Sequence, residues 1–210
     1  MKHIKTYYKR TLDINGNHII VEGPVDSKTL KQYTFDSGLV AFRMPSEQFI
    51  AIQEIADLEE GRIIICRDKN NIIGYTTYLY PDPLERWSDG QLPYLLELGA
   101  IEISADYRAM GLGKAMLELS MLDDMMEDYI IITTEYYWHW DLKNSGLDVF
   151  EYKKIMQKMM AAGGMEVFST DDPEITSHPA NCLMARIGNR ITNDQIQAFD
   201  NIRFQNRFFL

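Results

Sequence analysis

The stretch that decides the fold is Leu95-Leu96-Glu97-Leu98-Gly99-Ala100-Ile101-Glu102-Ile103-Ser104-Ala105-Asp106-Tyr107-Arg108-Ala109-Met110-Gly111-Leu112-Gly113-Lys114. Leu95 to Ile103 is an apolar run broken mainly by Glu97 and Glu102, which is how a strand buried on both faces reads. The basic, glycine-bearing turn Arg-x-x-Gly-x-Gly-Lys follows. Beyond it Leu112, Ala115, Met116, Leu119, Leu122 and Met126 recur at helical spacing. A turn that ends a strand and opens a helix gathers backbone N–H groups at the positive end of the helix dipole. That makes it an anion site. Two nucleotide motifs fail on counting. A P-loop needs glycine five residues before Gly113, where Arg108 stands, and Ser or Thr after the lysine, where Ala115 stands. A dinucleotide fingerprint needs a third glycine at Met116.

Arg108-Ala109-Met110-Gly111-Leu112-Gly113 resembles, at every defined position, the pyrophosphate loop [Gln/Arg]-x-x-Gly-x-[Gly/Ala] of the Gcn5-related N-acetyltransferases (GNAT). The flanking string AIEISADYRAMGLGKAML is similar to that family's strand–loop–helix block over its whole length. The resemblance implies an α/β (α+β) fold with a mixed central sheet of about six to seven strands flanked by helices. It implies acetyl-CoA as co-substrate and no metal. The cofactor contacts it implies are Ile101, Ile103, Arg108, Ala109, Met110, Gly111, Leu112, Gly113 and Lys114. Glycines at 111 and 113 let phosphate approach the backbone closely. Arg108 offers a planar fork and Lys114 a point charge, although Lys114 is equally readable as a solvated residue of the first helical turn.

The rest of the chain bounds the function. A length of 210 residues with 46% hydrophobic and 25% charged residues suits one globular domain. The expected layout is a single domain over residues 1–210, with a core at about 18–170 and a mostly helical C-terminal extension at about 171–210. A net charge of -10 argues against a nucleic-acid partner and suits a cationic acceptor. Cys66 and Cys182 are too few for a disulfide framework and fit a reducing compartment. The N-terminus lacks the apolar core of a signal peptide, and no apolar stretch approaches the ~20 residues of a membrane span. A cytoplasmic protein with no membrane partner is expected. Its oligomeric state is open between monomer and homodimer.

Periodicity predicts strands at residues 18–22, 62–68, 72–80, 95–103, 129–136 and 165–169. It predicts a short helix capped by Asp26 or Ser27, a second capped by Ser46, one from about Asp148 to Ala162, and a last one behind the capping box Thr192-x-x-Gln195. Ala180, Leu183, Met184 and Ile187 have helical spacing, with a final strand as the alternative.

Moving an acetyl group from a thioester to an amine requires a base, because an alkylamine of ordinary pKa ~10.4 arrives protonated. Many members of the family use a glutamate on the strand before the loop, eleven residues before the Gln/Arg in the histone-acetylating ones. Glu97 occupies that position. Glu102 lies on the same strand in opposite parity and stays in play if the strand carries a bulge. Relatives often protonate the departing thiolate with a tyrosine about four residues before a Gly-Phe-like pair. Here that pair is Gly164-Met165, and Met160 stands where the tyrosine would be. Tyr152 on the same helix is the first substitute, followed by Tyr136, Tyr137 and His139. The four histidines show no metal-ligand spacing.

Outside the shared core, EGRIIICRD, YPDPLERW, TTEYYWHWDL, AAGGMEVFSTDDPEI and SHPANCLMARIG are similar to a narrower branch of the family, the acetoin utilization acetyltransferases of bacilli. That likeness implies a protein lysine acetyltransferase acting on acetyl-CoA synthetase and switching it off. The residues alone also accommodate a small-molecule amine N-acetyltransferase, or a non-catalytic acyl-CoA-binding regulator.

Overall fold

The structure, a computed structural model, describes residues 1–14 and 16–205. The chain divides into two compact units, Met1–Tyr80 with Leu98–Met126, and Pro81–Glu97 with the chain from Glu127 onward.

In the first unit β1 (Tyr8–Ile14) and β2 (Asn17–Gly23) pair antiparallel. A short α1 (Ser27–Leu30) is capped by Asp26, whose carboxylate accepts from the Thr29 amide at 2.6 Å. Then come β3 (Thr34–Phe35), α2 (Pro45–Asp57) and the antiparallel pair β4 (Arg62–Asp68) and β5 (Asn71–Leu79). Helix α2 starts two residues earlier than Ser46 would cap it. Met44 is its N-cap, because Pro45 is suited to the first helical position. The last strand, β6 (Leu95–Ile103), gives residues 98–103 to this unit, and α3 (Leu112–Ser120) packs back onto β2, β4 and β5. Val25, Leu30, Leu39, Ile52, Ile63, Ile65, Ile72 and Tyr75 form one core cluster. Helix α3 stops at Ser120 rather than running on to Met126. Asp123 terminates it by accepting from the Met125 amide at 3.2 Å and by pairing with buried Arg62.

In the second unit residues 95–97 of β6 run parallel to β7 (Ile130–Glu135). The helices α4 (Leu142–Ser145) and α5 (Val149–Met160) lead to β8 (Glu166–Phe168) and α6 (Pro173–Thr176). After them come β9 (Cys182–Ile187), antiparallel to both β7 and β8, and α7 (Asn193–Arg203). Asp148 with Glu151 makes a capping box on α5, and Thr192 with Gln195 makes the expected one on α7. The core here is Trp87, Leu95, Ile130, Ile132, Ile175, Leu183, Ala185, Phe199 and Ile202.

Strand order is β1-β2-β4-β5-β6, with β3 on β5, in the first unit and β6-β7-β9-β8 in the second. The sheet is mixed, with nine strands among the described residues where about six to seven were expected. The helix expected over residues 180–187 is a strand. Cys182 to Ala185 are all buried, and a strand covered on both faces loses the alternation that marks strands. Strand β1 went unread for the opposite reason. It lies at one end of the strand order with most side chains exposed, so backbone pairing rather than an apolar pattern defines it.

Candidate active site

Strand β6 ends at Ile103, and Ser104 is followed by a 3-10 turn over Ala105–Tyr107. Arg108 is extended, Ala109 and Gly111 sit in the left-handed region at φ 61° and 75°, and α3 begins at Leu112. The first helical turn leaves the amides of Leu112, Gly113 and Lys114 without intrahelical acceptors, at the positive end of the dipole. A Cβ on Gly111 would meet no protein atom within 4 Å, so the space before this turn is open. Arg108 is exposed, its Nε donating to the Ile103 carbonyl at 3.3 Å. Lys114 is exposed and pairs with Glu118 at 3.6 Å. Ile101 and Ile103 are half-buried on the face opposite Glu102. The nine expected cofactor residues therefore meet at one strand–loop–helix junction of the first unit. Glycine-bearing backbone, free helix-terminal amides and a guanidinium make a donor set that fits a pyrophosphate.

Glu102 points the other way. It is 4% exposed, accepting from the Tyr75 hydroxyl at 2.7 Å and from the Ala41 amide at 2.7 Å. Burial and this bond push the Tyr75 phenol well above its usual range. Both carboxylate oxygens are thus committed to holding the segment before α2 against β6. Glu102→Ala leaves a buried hydroxyl and an amide without their acceptor, at a cost of about 2–3 kcal/mol. A lower melting temperature is expected in thermal unfolding, with the shape of the pH–rate profile unchanged.

Glu97 is in a different environment. It is the last residue of the β6–β7 ladder, opposite Ile132. Burial, then the charges of Glu85 and Asp82, push its carboxyl up to about 7. Glu85 is itself raised by burial and by Asp82, Glu174 and Asp172. Sequence reading missed these neighbours. The loop PDPLERW displays its carboxylates openly, but nothing in its pattern places it beside β6. Arg86 fastens that loop by pairing with Asp171 at 2.8 Å and Asp172 at 3.3 Å.

The aromatic run after β7 forms stacked layers. Tyr136 lies on Trp138 with ring centroids 4.8 Å apart, and Tyr137 meets His178 at 4.3 Å. The His139 ring stands edge-on to Tyr136 at 5.8 Å. Tyr152 stacks on Trp140 at 5.2 Å, and the Trp140 indole donates to Glu135 at 3.0 Å. Burial, with Asp172 next in weight, pushes the Tyr136 phenol up, so it is protonated and a donor at neutral pH. Met160 is buried in the core of its unit. Among the described residues no group of three or more His, Cys, Asp or Glu could hold a metal ion, and no helix is long and apolar enough to cross a membrane.

The family model described as "Acetyltransferase (GNAT) family" matches residues 31–139. The acetoin utilization protein AcuA of Bacillus subtilis (strain 168) is 55% identical over 208 residues, 99% of each chain. The protein of the same name from Bacillus licheniformis is also 55% identical, again over 99% of each. The crystal structure of an acetoin utilization protein from Exiguobacterium sibiricum superposes with a TM-score of 0.95 at 58% identity, covering 98% of this chain and 97% of that one.

Proposed function

Because the chain belongs to the GNAT acetyltransferase family, we propose that it is a protein lysine acetyltransferase of acetoin utilization, its acceptor a lysine of acetyl-CoA synthetase that acetylation inactivates. The family's chemistry is acetyl-CoA-dependent N-acetylation. The residues that would hold the co-substrate are the Arg108–Lys114 amides and side chains, with Ile101 and Ile103 beside them.

The observation that carries the reading is Glu97. A carboxyl held at about 7 is half ionised at neutrality, which suits it to taking a proton from an ammonium and releasing it again. The field of Asp82 and Glu85 that strengthens this base also favours a cationic acceptor over a neutral or acidic one. Glu97 removes the ammonium proton, directly or through one water. The freed nitrogen lone pair then forms the C–N bond. Acetyl-CoA supplies the acetyl group as a thioester, whose C–S bond breaks with the electron pair leaving on sulfur.

We assign Tyr152, fixed by its stack on Trp140, as the donor to that sulfur. A thiol of ordinary pKa ~8.5 leaves readily as its anion. Tyr152→Phe is therefore expected to lower kcat by no more than about tenfold, far less than loss of the base.

Incubation with acetyl-CoA and acetyl-CoA synthetase, read by intact mass, tests the function. The expected result is a gain of one acetyl group on the synthetase that requires acetyl-CoA. An unmodified synthetase alongside an acetylated free diamine would move the acceptor to small molecules. CoA binding without any transfer would make the protein a regulator.

A further inference from the structure

We propose that Asp36 is a positioning residue for the anion cradle, acting through Ser104, a role that rests on the cradle being the acetyl-CoA site. The segment leading into the cradle is pinned at successive points. Glu102 is held by Tyr75 and Ala41, as described above. Ser104, 2% exposed, donates from its amide to Ile73 at 2.8 Å and from its hydroxyl to Asp36 at 2.7 Å. The Tyr107 hydroxyl reaches Asp68 at 3.3 Å. Asp36 is itself held in place, accepting from the Gly38 amide at 2.9 Å and from Asn71 Nδ2 at 2.7 Å. Gly38 packs so closely that a Cβ there would collide with the Ser104 hydroxyl. Burial pushes the Asp36 carboxyl up, but the three donors outweigh it and leave it below the usual range.

What needs holding is Ala109. Its φ of 61° is one an L-residue adopts at a cost of about 1–2 kcal/mol. Such strain persists only where the flanking structure leaves no alternative. Helix α3 fixes the downstream side of the turn. On the upstream side the shorter Ser104–Asp36 bond, 2.7 Å against 3.3 Å for Tyr107–Asp68, fixes the fully buried residue at which the strand gives way to the turn. Neither residue belongs to the cradle, so their influence on a bound pyrophosphate travels through the backbone. Loss of the anchor lets Ala109 relax toward negative φ, which turns the cradle amides away from a common point.

Titration calorimetry with CoA on the wild-type protein, Ser104→Ala, Asp36→Asn and the double variant Ser104→Ala/Ala109→Gly tests this. Both single variants are expected to raise the Kd for CoA about tenfold. Ser104→Ala is expected to keep kcat at saturating acetyl-CoA and its pH midpoint near 7. Glycine adopts positive φ without strain, so Ala109→Gly in the Ser104→Ala background is expected to recover most of the lost affinity. A purely structural role for Ser104 would not produce that recovery. A Ser104→Ala Kd within twofold of wild type, or no recovery from the glycine, overturns the proposal alone. Failure of the wild-type protein to bind CoA overturns the cradle assignment along with it.

Discussion

Glu97→Gln is expected to lower kcat about 100-fold at pH 7, with the Kd for CoA unchanged, and to make the protein more stable. The rate loss follows from removing a positioned base whose pKa matches the working pH, a contribution of about 10²–10⁴-fold in general. The stability gain follows from the same shift. In the unfolded chain this carboxyl has an ordinary value near 4.5, and in the folded protein it stands at about 7. Below the lower value both states are protonated and the group costs nothing. As pH rises through the window between the two values, the unfolded state ionises first and the folded state loses stability, with the full cost present above 7. The gap between the two values corresponds to about 3 kcal/mol. Glutamine avoids that cost, so the variant's melting temperature is expected to exceed the wild type's by roughly 10 °C at pH 8 and to come close to it at pH 4.5. A variant that is both slower and more stable, the second only above pH 5, separates a strained catalytic carboxylate from one that serves the fold. Glu102→Ala is expected to behave in the opposite way, less stable with an unaltered profile.

Gly111→Val is expected to weaken CoA binding about 100-fold. Two costs fall on the same position. The residue holds φ at 75°, which a β-branched side chain resists. The space a Cβ would enter contains no protein atom within 4 Å, so the intrusion is into open space, where the proposed pyrophosphate would lie, rather than into the core. The variant should therefore fold, losing about 1–2 kcal/mol of stability to the backbone conformation alone. Gly111→Ala should fall between it and the wild type. Calorimetry with CoA checks both. An unchanged Kd in the valine variant would mean the pyrophosphate lies elsewhere.

The strand–turn–helix junction was legible because it is local. A strand, a glycine-bearing turn and a helix N-terminus follow one another within twenty residues, and their spacing alone places backbone amides together. The capping box Thr192–Gln195 was legible for the same reason, both partners being three residues apart. What the sequence hid depends on distant neighbours. Strand β9 has the spacing of a helix face, and only its backbone pairing with β7 and β8 distinguishes the two. The parity rule separated Glu97 from Glu102 but could not say which was desolvated and which was saturated with donors. That difference comes from Tyr75 and Ala41 on one side and from Asp82 and Glu85 on the other, residues 12 to 61 positions away along the chain. Asp36, 68 residues before Ser104, carried no signal that it braces the turn.

The pH dependence of kcat at saturating acetyl-CoA, measured from pH 5.5 to 9 for wild type and Glu97→Gln with the same acceptor, tests the central claim most directly. Glu97 as base predicts a wild-type rate that rises tenfold per pH unit below about 7 and levels off above it. The variant should have no such plateau. It should climb across the whole range, because solvent must then remove a proton from an amine of ordinary pKa ~10.4, and the two curves should converge at high pH. Wild-type and variant curves that rise in parallel to pH 9 would contradict it.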